Sequence, residues 1–167
     1  MDIRHIVMDF EASALHGGYP IEVGVAFTWQ DWKITDEARL IRHDPWLDHG
    51  RWCSEAQDVH NLTKEDVRSG GQSIETVCDW LNGMLAGKTV YADHDKDKGW
   101  LCQLFDEAGK RPYFELLHVE KYINRASYVN ESCLIDFTRG LESGRDIHRA
   151  GPDARRIARA LAACVVA

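Results

Sequence analysis

The chain has 167 residues, of which 44% are hydrophobic and 28% charged, the balance of an ordinary globular domain long enough to bury a substantial core. Its 20 Lys and Arg against 27 Asp and Glu leave a formal net charge of −7. That argues against a protein that coats long nucleic acid with a basic face, but not against an enzyme whose bound cations receive a phosphate.

No apolar run reaches the ~20 residues that a bilayer span needs, and the start MDIRHIVMDF lacks the apolar core of a signal peptide. Five scattered cysteines (Cys53, Cys78, Cys102, Cys133 and Cys164) contain no CxxC pair, so neither a disulfide framework nor a zinc site is expected. The expectation is one domain over residues 1–167, cytoplasmic and away from membranes.

Residues 3–10 read as a first strand. HGGYP at 16–20 is a turn by its Gly and Pro content. IEVGVAFTW at 21–29 alternates as a second strand, and KITDEARLI at 33–41 as a third, giving an antiparallel meander. RHDPWLDHGRWCSEA reads as a loop, in which Trp46 and Trp52 serve as packing groups or as stacking platforms for bases. SIETVCDWLNGML at 73–85 sets Ile74, Val77, Cys78, Leu81 and Leu85 at helical spacing behind an N-cap at Ser73.

KTVYA at 88–92 is a short strand, and DKGWLCQLFDEAG at 97–109 a helix with Trp100, Leu101, Leu104 and Phe105 on one face. A further strand is expected within 113–123, and helices near 128–141 and 152–166. Strands followed by alternating helices and strands indicate an α/β protein with a mixed sheet flanked by helices.

VMDFEA places Asp9 and Glu11 two apart on an otherwise buried strand, so they share a face and repel unless a positive charge lies between them. Hard divalent cations are held by oxygen ligands, and two-metal sites use bridging carboxylates. Further carboxylates follow a strand in VYADHDKDKGWL, where Asp97 opens a helix as ligand or helix-end anion and Asp93 and Asp95 read as loop acids. In DIHRAGPDARRIARAL, Gly151 and Pro152 prevent a continuous helix, which puts His148 on a loop and Asp153 in the first turn, aimed at one cleft. Glu22 reads as the partner of a basic residue, and Arg155, Arg156 and Arg159 as a solvated helix face.

The ordered set of DFE at 9–11, Asp97 in DKGWL and HRAGPD at 148–153 resembles the DEDD exonuclease superfamily, in the branch with histidine in the last motif. DFEAS followed by YPIEVGVAF, and AQDVHNLTKEDV, resemble further stretches of that family, so the resemblance spans nearly the whole chain. It implies an RNase H-like fold and metal-dependent 3′→5′ removal of nucleotides from single-stranded RNA or DNA. Asp9, Glu11, Asp97 and Asp153 would hold two divalent cations, Mg²⁺ or Mn²⁺, and His148 would be the general base. Ser13, His60 and Trp52 are candidate substrate contacts, and a homodimer is a further expectation.

The chain departs from the pattern at Asp93, where many members have Asn, at His60-Asn61-Leu62-Thr63, and at Gly151-Pro152. A phosphodiesterase of small nucleotide esters and a non-catalytic nucleic-acid-binding module are the alternative functions.

Overall fold

In the computed structural model, residues 2–126, 128, 129, 131, 132, 134 and 148–166 are described. The alternation read in the first 42 residues gives three long strands, β1 (Ile3–Ala12), β2 (Pro20–Trp29) and β3 (Ile34–Arg42). β1 pairs antiparallel with β2, placing Asp9 opposite Gly24 and Glu11 opposite Glu22, and β2 pairs antiparallel with β3. β4 (Gln72–Ser73) adds in parallel to β3, while β5 (Thr89–Ala92) runs parallel to β1 and to β6 (Glu115–His118). The order β4-β3-β2-β1-β5-β6 is a mixed sheet of the RNase H-like kind, as expected from the sequence.

Helices cover both faces. Even positions of β1 (Ile6, Met8, Phe10) point toward α4 (Ile74–Leu85) and α5 (Asp95–Glu107), packing with Val77, Leu81 and Leu104. The opposite face offers Val7 and Ala26 to the C-terminal helix α7 (Ala150–Cys164), whose Ala154, Ile157, Ala158 and Leu161 recur at the three- and four-residue spacing of one helical side. On this face His5 is buried among Thr28 Oγ1 at 2.8 Å and the Ala158 carbonyl at 3.2 Å. Burial lowers its pKa to about 4, so it stays neutral. Among the described residues no helix is long and apolar enough to cross a membrane.

Several elements differ from the sequence reading. The stretch read as a loop holds α1 (Asp44–His49) and the start of α2 (Ser54–His60), and α3 (Lys64–Gly70) follows. Their signals were end signals rather than periods: Pro45 in the first turn of α1, and a capping box between Thr63 and Asp66 on α3. Six or seven residues are too few for a 3.6-residue repeat to declare itself.

The strand within 113–123 stops at His118 and turns into α6 (Glu120–Ile123) as the Val119 N–H donates to the Ala92 carbonyl. Where helices were expected near 128–141 and 152–166, Tyr128–Val129 instead form a short strand, β7, paired antiparallel with β8 (Val165–Val166); most of the remainder of 128–141 lies outside the described residues.

Candidate active site

Asp9 and Glu11 continue the face of β1 that carries Val7. Beyond Val7 the apolar packing gives way to a cleft of 270 Å³, walled by Asp9, Glu11, Asp97, His148 and Asp153 among others. Three separate elements bring these groups together.

α5 starts two residues earlier than its apolar spacing suggested, because His94 caps it: His94 Nδ1 accepts from the Lys96 N–H at 3.1 Å. Asp97 is thus the third residue of the helix. It sits in the first turn, only 4% exposed, with Trp100 beside it in the cleft wall and Leu101 in the core.

α7 is positioned by β2. Its own N-cap residue, Arg149, makes no side-chain cap; instead the Ala150 N–H donates to Glu22 Oε2 at 2.9 Å. Arg149 closes on the same carboxylate, with Nη2 2.6 Å from Oε1 and Nε 2.9 Å from Oε2. The basic partner expected for Glu22 is therefore Arg149, and the carboxylate also meets the positive end of the helix. Gly24 lets the helix approach: a Cβ there would lie 2.2 Å from the Ala150 carbonyl carbon.

The loop before α7 is tied to α2 by the His148 N–H, which donates to the Val59 carbonyl at 2.9 Å. His148 Nδ1 then stands 3.0 Å from Asp153 Oδ2, and Arg156 Nε 3.1 Å from Asp153 Oδ1. Arg155 binds Asp36 Oδ1 at 2.8 Å. Two of the three arginines read as a solvated face are thus engaged.

Like charges packed in a low-dielectric pocket disfavour ionisation. The Glu11 carboxyl is pushed up to about 8, first by burial and then by Asp153, Glu22 and Asp97. Asp97 is also pushed up to about 8, by burial and then by Asp93. Asp9 is raised well above the ordinary carboxyl range by burial, Asp97 and Glu11, and Asp93 is raised chiefly by burial. Such a set calls for protons or cations.

Two groups of ligand atoms lie within 4.8 Å of one another, Glu11 with His148 and Asp153, and Asp9 with Asp93 and Asp97. Asp97 Oδ2 is buried with no hydrogen-bond partner among the described residues. Carboxylate oxygens, one imidazole and no thiolate form a donor set that fits a hard divalent cation.

The remaining candidates separate. His60 is 1% exposed and lines the cleft, with Nδ1 accepting from the Leu62 N–H at 3.1 Å. Ser13 is fully buried. Its hydroxyl donates to the Arg51 carbonyl at 2.7 Å and accepts from the Tyr19 N–H at 3.0 Å, so it ties two segments together and is not free to meet a substrate. Trp52 lies outside the cleft wall, packed edge-on to His60, with Nε1 donating to Gln57 Oε1 at 2.9 Å.

Three wall residues had no such reading in the sequence. Asp93, read as a loop acid, joins Asp9 and Asp97. Leu15 and Val59, 60% and 44% exposed, supply apolar rims. An isolated Leu or Val carries no sequence signal for such a place, whereas Asp93 stood at the strand end only four residues before Asp97.

No protein-family model and no curated protein matches the sequence. Solved structures do match in fold. The chain aligns with E. coli Exonuclease I in complex with a dA16 oligonucleotide at a TM-score of 0.58 and 11% identity, over 69% of this chain and 27% of that one. For the zinc ion bound form of the ExoI–ssDNA complex the TM-score is 0.59 at 10% identity, over 77% and 32% of the two chains. The ExoI/SSB-Ct complex aligns at 0.58 and 12%, over 75% and 31%. The fold is shared with Exonuclease I. The chain spans about a third or less of the length of those chains, and at such identity the likeness concerns the fold alone.

Proposed function

We propose that this protein is a metal-dependent 3′→5′ exonuclease that hydrolyses phosphodiester bonds in short single-stranded RNA or DNA. The observation that carries the reading is the convergence of Asp9 and Glu11 from β1, Asp97 from α5 and His148 with Asp153 from the start of α7 on one cleft. Three of these carboxylates, Asp9, Glu11 and Asp97, are raised out of their ordinary range by burial and by neighbouring acids, a poor choice for a binding surface and a good one for a cation site. The fold shared with an exonuclease seen bound to single-stranded oligonucleotides lends support.

In this reading Asp9, Glu11, Asp97 and Asp153 hold two divalent cations. When bound, such cations supply Lewis acidity at the scissile phosphate and offset its charge. The chain's own groups do the rest. With the Nδ1 proton directed at Asp153, His148 presents the Nε2 lone pair to the attacking water and takes its proton. The new P–O bond forms as the bond to the 3′-oxygen breaks, leaving a shortened strand with a 3′-hydroxyl and a nucleoside 5′-monophosphate. Leu15 and Val59 offer apolar contact to the terminal base, and His60 lies beside them in the wall.

The test is hydrolysis of 3′- and 5′-labelled single-stranded RNA and DNA oligomers with Mn²⁺ or Mg²⁺, alongside Asp9→Ala and His148→Ala. Stepwise shortening from the 3′ end that both variants abolish is the expected result. An intact oligomer with a protein that still binds Mn²⁺ would redirect the reading to small nucleotide esters, which suit a cleft of 270 Å³. An intact oligomer and no metal binding would leave a nucleic-acid-binding module.

A further inference from the structure

We propose that Asp93 is a fifth carboxylate of the cation site, ligating together with Asp9 and Asp97. This rests on the metal-dependent reading above and adds to it a group that the four-carboxylate scheme does not contain.

The placement of Asp93 is built by the fold rather than left to a loop. It directly follows Ala92, the last residue of β5, in the centre of the parallel part of the sheet. Its backbone is pinned from the neighbouring strand, because His118 Nε2 lies 2.9 Å from the Asp93 carbonyl oxygen. The Val119 N–H holds the preceding carbonyl, of Ala92, at 2.9 Å. With the backbone held at both peptides, the side chain is half-buried in the cleft wall, and one of its oxygens comes within 4.8 Å of ligand atoms on Asp9 and Asp97. Asp95, two residues on, is exposed and lies outside the wall.

A cluster of acids alone would not identify a ligand, since repelling side chains can simply share a wet cleft. Asp97 supplies the independent observation. Its Oδ2 is buried and unpartnered among the described residues, in a side chain only 4% exposed. A buried carboxyl oxygen without a partner is costly, and a cation shared with Asp9 and Asp93 removes that cost.

The contrast with the second group is informative. Both oxygens of Asp153 are already engaged, by His148 and Arg156, whereas Asp97 Oδ2 has no partner among the described residues. A third carboxylate therefore strengthens the position held by Asp9 and Asp97. Three hard oxygen donors suit Mg²⁺ or Mn²⁺ better than a thiol-seeking metal.

The experiment is Mn²⁺ titration of the metal-stripped protein by calorimetry, with no substrate, for wild type, Asp93→Asn, Asp93→Glu, Asp95→Asn and Asp9→Asn. Loss of a group that merely orients a ligand already weakens metal binding by about 10–100-fold, so loss of a ligand should weaken it at least as much. Asp93→Asn, nearly isosteric, is expected to weaken Mn²⁺ by about tenfold or more, Asp93→Glu by less, and Asp95→Asn to leave affinity unchanged. Unchanged affinity in Asp93→Asn, with Mn²⁺ lost in Asp9→Asn, overturns the assignment of Asp93 and leaves the metal site standing. Equal weakening in Asp93→Asn and Asp95→Asn also overturns it, because it reports the general field of a negative loop. Wild type that takes up no Mn²⁺ overturns the metal-dependent reading itself.

Thermal unfolding gives a second readout that folding defects cannot imitate. In chelator Asp93→Asn is expected to melt higher than wild type, since a repelling charge is gone, while its gain in Tm on adding Mn²⁺ is expected to shrink. A melting temperature lowered in chelator, with the Mn²⁺ gain intact, speaks for a structural role and against the proposal.

Discussion

Gly24→Ala tests the claim that the cleft is set by how closely α7 approaches β2. A Cβ at position 24 would stand 2.2 Å from both the carbon and the oxygen of the Ala150 carbonyl and 2.4 Å from the Gly151 nitrogen. These are backbone atoms, so no side chain can swing aside. Ordinary contact begins near 3.4 Å, which obliges strand and helix to part by about 1 Å. Overpacking of this kind costs about 1–3 kcal/mol.

The damage falls where it matters, because Ala150 opens the helix that carries Asp153 and follows directly on His148 and Arg149. A misplacement of about 1 Å can cost about 10²-fold in rate. Urea unfolding should show the loss of stability, and oligomer hydrolysis with Mn²⁺ the loss of rate. Gly83→Ala serves as the control. Its Cβ would meet nothing within 4 Å inside α4, and Ala should stabilise the helix there by up to about 1 kcal/mol. A Gly24→Ala protein as stable and as active as wild type would refute the close-approach argument.

Two further outcomes follow from the charges. Glu22→Gln removes the partner of Arg149 and the anion at the start of α7. It should cost about 1–3 kcal/mol in urea, less than the ~3–5 kcal/mol of a fully buried pair because the Arg149 side chain is 40% exposed. An unchanged midpoint would mean the pair contributes nothing.

In chelator, stability should fall as pH rises. Native Glu11 and Asp97, with pKa values near 8 against ordinary values of 4.5 and 3.8, hold protons that the unfolded chain has released. Their contribution is therefore complete below about pH 4 and lost as pH climbs through 8. Glu11 alone, at about 1.4 kcal/mol per tenfold change in proton affinity, represents on the order of 5 kcal/mol. Melting temperatures at pH 5, 6.5 and 8 should drop in EDTA and hold steady with Mg²⁺. A flat profile in EDTA would show that the carboxylates are not crowded.

The sequence by itself determined the three long strands of the sheet. Period-2 alternation over 3–10, 21–29 and 33–41 is a local property of the chain, and it gave the meander. The odd placing of Asp9 and Glu11 on a buried strand marked the cleft for the same reason, since one strand fixes which residues share a face. Gly151 and Pro152 likewise placed His148 before a helix and Asp153 in its first turn.

What the tertiary structure alone decided are the contacts between elements distant in the chain. That Glu22 serves as the cap of α7, 128 residues further on, depends on β2 lying under that helix. The burial of Ser13, with its hydroxyl taken by Arg51 and Tyr19, could not be read from DFEAS. Asp93 looked like a loop acid because its neighbours Asp95 and Asp97 made the stretch look uniformly polar. Strand β5 and the backbone bonds from His118 and Val119 separate the three, turning Asp93 and Asp97 into the cleft and leaving Asp95 in solvent. Local spacing determines which side chains share a face; only packing of whole elements determines which faces meet.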